Sequence, residues 1–167
     1  MPERKTMKRA QRDRSHGKSP STQAGEFVHE EMDHIREGKH GARSTKQAIA
    51  IGLSEARRAG VELPPPEPGT ASEQTRHGAE RNLAAARKTG RRKVSRKRSR
   101  AVTGALRREG HSAASKIALS KQAKFAARRR SPAVRSAPGR KAARTKGAAG
   151  RSAAGRKAAR ARSKRRR

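Results

Sequence analysis

Apolar residues recur at Ala24, Phe27, Val28, Met32 and Ile35, the three-and-four spacing that lays a single stripe along a helix. Ser19 before Pro20 offers an N-cap with proline at the first helical position, and Gly38 supplies a stop. The pattern predicts a helix over about residues 20–37. A second stripe, Ala48, Ile49, Gly52, Leu53 and Ala56, follows a capping box of Ser44 and Gln47 and ends at Gly60 and Val61. This predicts a helix over about residues 45–59. The intervening turn, Gly38 to Arg43, is short enough to fold the two antiparallel, so residues 19–63 read as an αα-hairpin. So few large side chains make a marginal core. The hairpin is therefore expected to dimerise, recruit a third helix, or order on a partner.

Periodicity fades beyond it. Leu63 leads into Pro64, Pro65, Pro66 and Pro68, which favour extended backbone, so residues 64–75 read as a stiff linker and a boundary. Residues 76–130 read as a basic, partly helical segment: Ala79 and Leu83 form a weak apolar pair, and RRKVSRKRSR occupies Arg91 to Arg100. A faint stripe of Ala114, Ile117, Ala118 and Phe125 then precedes Arg128. Residues 131–167 are low-complexity Ala, Gly, Ser, Arg and Lys, with GRKAAR at Gly139 to Arg144 and again at Gly155 to Arg160. They are expected to be disordered, and residues 1–18 to be a basic N-terminal arm. The fold class is thus mostly α and disordered: a short αα-hairpin, a Pro-rich spacer and a long basic tail.

Charge sharpens these divisions. The chain holds 46 Lys and Arg against 13 Asp and Glu, a formal charge of +33. Yet Ser21 to Glu67 carries eight acids and six bases, whereas from Gly110 onward there are 20 bases and no acid. A polyanion is the implied partner of the basic half. At one charge per about 1.7 Å of duplex, +33 would neutralise roughly 55 Å of DNA. The expected contacts are Arg91, Arg92, Lys93, Arg96, Lys97, Arg98 and Arg100, then Arg128, Arg129 and Arg130, then Arg140, Lys141, Arg144, Arg156, Lys157, Arg160, Arg162, Lys164, Arg165, Arg166 and Arg167. Arginine suits this role because its planar fork meets phosphate oxygens in pairs.

Several chemistries are excluded or demoted. Phe27 and Phe125 are the only aromatic residues among Phe, Tyr and Trp, too few for a base-stacking platform. Without cysteine there is no disulfide, thiolate metal site or Cys nucleophile. The longest apolar stretch, Ala48 to Leu53, is too short to span a bilayer, and MPERKTMKRAQRDR has no secretory core. In HEEMDH, His29 and His34 are five residues apart, about 140° around a helix, so they do not share a metal from one turn. Gly17-Lys18-Ser19 lacks the upstream glycine and strand of a P-loop, and Gly38-Lys39-His40-Gly41 matches a KH-type GxxG without that fold's sheet. Ser44 to Gln47 could start a recognition helix, but in a segment of net negative charge. Ser19-Pro20 and Ser131-Pro132 fit proline-directed phosphorylation formally and read more simply as breakers. No cofactor, metal site or catalytic pocket is expected.

The runs KSPSTQAGEF and GARSTKQAIAIGLS, within Lys18 to Val61, resemble the core of a family of small bacterial proteins catalogued only as a domain of unknown function. The resemblance extends over about residues 1–83 and implies a bacterial cytoplasm, with no activity to transfer. From Arg91 the composition is similar in character to bacterial linker-histone-like tails. Together these readings lead to an expectation of non-specific DNA binding and compaction, nucleoid-associated, with no enzyme activity and no membrane contact. RNA or ribosome association is the alternative from the same chemistry. A third reading makes the hairpin a protein-interaction or homo-oligomer module, with Phe27, Val28, Met32, Ile35, Ile49 and Leu53 as its core.

Overall fold

The computed structural model describes residues 2–87, 95–137, 139–140, 143–144, 152–153 and 155–157. The chain is mostly helical, with no strand among the described residues. The order is α1 (Arg4–Ser15), α2 (Pro20–Arg36), α3 (Thr45–Arg58), α4 (Glu73–Arg87), α5 (Arg96–Arg107), a 3-10 turn at Ser112–Ala114, and α6 (Lys116–Arg128). Two compact units are present, Met1–Gln122 and Ala123–Arg167.

The hairpin helices form for the reasons their caps suggest. Ser19 Oγ accepts the Thr22 amide, and α2 closes in a Schellman motif, with the Lys39 amide donating to the His34 carbonyl at 3.0 Å. Ser44 Oγ accepts the Gln47 amide, while Gln47 Oε1 accepts the Arg43 amide at 3.0 Å. At the α2–α3 crossing a Cβ on Gly52 would lie 2.8 Å from Val28 Cα. Only glycine lets the two backbones come this close, so this position in the apolar stripe is a contact point and not a gap.

Two apolar clusters flank that crossing. One joins Met32, Ile35, Ala42 and Ala48 to Ala113 and Ala114, with Val28, Ile49 and Leu119 beside them. The other joins Phe27, Ala24 and Ala56 to Ala10 of α1 and to Val61, with Leu53 and Leu63 alongside. Phe27 and Ile35 are the largest fully buried side chains, each contributing on the order of 2–3 kcal/mol by area. The marginal hairpin is therefore completed from within its own chain, by α1 on one side and the 3-10 turn on the other.

This corrects three expectations. Residues nominated as an interaction core are consumed internally: Phe27, Met32 and Ile35 are buried, and Val28, Ile49 and Leu53 pack against them. The segment read as a basic arm contains α1, which buries Thr6, Ala10 and Asp13 against the hairpin. Finally, the compact unit does not end at the prolines. Arg57, itself buried, donates from Nε to the Leu63 carbonyl and from Nη2 to the Pro64 carbonyl, both at 3.1 Å, and so ties the proline run down. Beyond it α4 packs back on α3.

Residues 106–114 return to the α2–α3 turn. The Gly41 amide donates to the Leu106 carbonyl at 2.9 Å, and the Ala42 amide to the Gly110 carbonyl at 3.1 Å. Thr45 Oγ1 donates to the Ala113 carbonyl and Arg36 Nε to the Ala114 carbonyl. A Cβ on Gly41 would collide with the Glu109 carbonyl, so this close approach also requires glycine. In the second unit, residues 132–137 are helical, with Ser131 Oγ accepting the Val134 amide, where a disordered tail was expected to begin. Much of the remaining tail lies outside the described residues.

Candidate nucleic-acid interface

Helix α5 buries no residue, and its Arg96, Lys97, Arg98 and Arg100 are all exposed. Ser95 caps it, accepting the Arg98 amide, but no acid stands in its first turn. The macrodipole presents partial positive charge at this end, so the cations there repel both it and one another. An anion relieves both repulsions, and backbone amides at the same end add donors for phosphate oxygens.

Arg128, Arg129 and Arg130 are exposed at the end of α6, where the Arg129 guanidinium lies 5.8 Å from the Phe125 ring centroid, a cation–π distance. Arg140 is turned onto its own segment, with Nη1 2.6 Å from Ser136 Oγ and Nη2 3.0 Å from the Ala133 carbonyl. Arg144, Arg156 and Lys157 are exposed. Arg91, Arg92, Lys93, Lys141, Arg160, Arg162, Lys164, Arg165, Arg166 and Arg167 lie outside the described residues.

The sequence reading passed over a basic stripe on α1. Lys5, Lys8 and Arg12 share a face by helical spacing and are exposed, while Thr6, Ala10 and Asp13 turn inward. The signal was faint because the inward face is made of small and polar residues. Asp13 is buried but satisfied by Lys18 Nζ at 2.7 Å, and Arg9 pairs with Glu26 at 3.3 Å.

A second group of functional residue types lies on the acidic side. Glu30 and Glu31 of α2 are buried. Glu30 Oε1 accepts the Glu3 amide at 2.7 Å and lies 3.7 Å from His34 Nε2, which is itself 3.1 Å from Glu3 Oε1. His34 and Lys39 hold the Glu3 carboxyl below its ordinary range. Glu31 Oε2 faces His40 Nε2 at 3.6 Å. Burial pushes the Glu31 carboxyl up to about 7, with the Glu55 charge adding to the effect, His34 opposing it and Glu30 adding again. His29 pairs instead with Asp33 at 2.9 Å, and the neighbour of His34 is His40 from the turn, with ring centroids 6.1 Å apart.

These features define a small helical protein with an acidic, internally completed helical hairpin followed by basic, exposed helices. Residues 17–67 match the model of a family of unknown function (DUF6496). The match covers α2, the turn, α3 and most of the proline run, a narrower span than residues 1–83, and it contains every residue of the two runs that carry the resemblance. No curated protein and no solved structure matches the chain. No helix among the described residues is long and apolar enough to cross a membrane.

Proposed function

We propose that this protein binds nucleic-acid backbone without reading base sequence, and that it acts on DNA as a nucleoid-associated, histone-like neutralising protein. The observation that carries the reading is the segregation of charge. From Arg96 onward cations accumulate on α5 and α6, helices that bury no residue, and no acid follows Glu109. Surfaces of this kind serve phosphate contact, which needs charge and reach and little shape. The scarcity of aromatic side chains points the same way, because base stacking has few platforms to use. Since the hairpin's large apolar residues are consumed internally, compaction rests on neutralising charge and not on a hairpin dimer.

Duplex binding measured across a salt series tests this. With some ten phosphate contacts, log K falls against log salt with a slope near −9, and a slope shallower than about −3 overturns the proposal. The informative comparison is a chain ending at Gln122, the limit of the first unit, which removes 18 Lys and Arg together with the end of α6. Its slope is expected to be markedly shallower. Competition by A-form RNA at matched length decides the polymer: equal or better competition than duplex DNA defeats the DNA assignment.

A further inference from the structure

Buried carboxylates near imidazoles remain unexplained by a phosphate-binding role. Glu31 has a side chain only 3% exposed, and its Oε1 has no hydrogen-bond partner. A buried carboxylate oxygen without a donor is costly, so something is expected to compensate it. Its other oxygen, Oε2, lies 3.6 Å from His40 Nε2, too long for a hydrogen bond whichever group carries the proton. The Gly41 carbonyl is 3.3 Å from His40 Nδ1, and a carbonyl only accepts, so in the neutral imidazole Nδ1 carries the hydrogen and the Nε2 lone pair faces Glu31. With Glu31 ionised and His40 neutral, two acceptors face each other at this separation, and an electrophile between them stabilises both.

The spacing suits a metal ion. A tetrahedral ion bound by nitrogen and oxygen at about 2.0–2.2 Å holds neighbouring ligand atoms roughly 3.4 Å apart. A nitrogen of His34 completes the group: ligand atoms of Glu31, His34 and His40 all lie within 4.8 Å of one another. The geometry points to a binding site for a zinc-like divalent cation formed by Glu31 and His34 of α2 and His40 of the α2–α3 turn. Imidazole and carboxylate without thiolate favour such borderline ions, and the Gly41 carbonyl supplies the outer hydrogen bond that orients a metal-binding imidazole. The ion would tie the end of α2 to the turn that receives residues 106–114. Three protein ligands leave a fourth position to water.

The test uses the full chain, stripped with chelator and titrated with Zn²⁺ and, as a visible-absorption probe, Co²⁺. One equivalent binds per chain, and Tm rises with the logarithm of free Zn²⁺. Glu31→Gln and His40→Gln each weaken binding at least about tenfold, whereas His29→Gln and His77→Gln do not. Circular dichroism in chelator verifies that each variant is folded. The unaltered protein gives a second readout, since imidazole ¹⁵N shifts must move at His34 and His40. Absence of a one-equivalent site, equal losses from the His29 and His77 changes, or shifts confined to those two residues overturns the assignment.

Discussion

The acidic hairpin and the basic helices of one chain use charged residues in opposite ways. In the hairpin region, charges are placed against specific neighbours: Asp13 against Lys18, Arg57 against two carbonyls, Glu30 against the Glu3 amide. On α5 the cations share an exposed helix end with no acid in its first turn. Buried charge needs a partner in the fold, whereas exposed like charge can wait for one outside it. Stability should therefore reside in one region and polyanion affinity in the other.

The largest test of that separation is Phe27→Ala, which is expected to cost about 3–5 kcal/mol in denaturant unfolding while leaving the salt slope of duplex binding unchanged. A parallel loss of slope would show that the two regions are not independent.

Next in size is a pH effect at Glu31. Its folded carboxyl titrates near 7, above its ordinary value of 4.5, so the folded state holds the proton more tightly. The stabilisation is present below about pH 4.5 and is lost as pH rises to 7, up to about 3 kcal/mol at 1.36 kcal/mol per unit. The facing groups are Glu55, His34, Glu30 and His40. In metal-free buffer at pH 8, Glu31→Gln should thus unfold at higher denaturant than the parent, with the advantage shrinking toward pH 5.

Smaller still is Gly41→Ala. The added methyl meets the Glu109 carbonyl, and the expected loss is about 1–3 kcal/mol, with faster amide exchange at Ala42, whose amide is bonded to Gly110. At the bottom of the scale, replacing Arg96, Lys97, Arg98 and Arg100 together by Gln should leave stability within about 0.5 kcal/mol and flatten the salt slope by about 3–4.

What could be read in the sequence was whatever repeats at helical period with large side chains. Phe27, Met32 and Ile35 gave α2, and Ser19 and Ser44 gave its start and that of α3, each within a residue or so of the structure. Helix α1 escaped because its inward face is Thr6, Ala10 and Asp13, which has no apolar stripe. The 3-10 turn escaped because two alanines, Ala113 and Ala114, do its packing. The docked proline run depends on Arg57, whose partners are backbone carbonyls and leave no side-chain pattern. Of the candidate sites, the basic residues were legible from composition alone. The approach of His40 to His34 and Glu31 was not, since it follows from how the turn folds back.

The docking of residues 106–114 onto the α2–α3 turn also fixes an order of events at the ribosome. Thr45 and Ala113 are joined across 68 residues, and Arg36 and Ala114 across 78. A nascent chain that has emerged only as far as the prolines carries both hairpin helices with one cluster still open toward solvent. Synthesis must deliver the acidic segment, the proline run and the first basic helix before that cluster closes. Native packing of that cluster therefore waits until residues 106–114 have emerged, well after both hairpin helices are available.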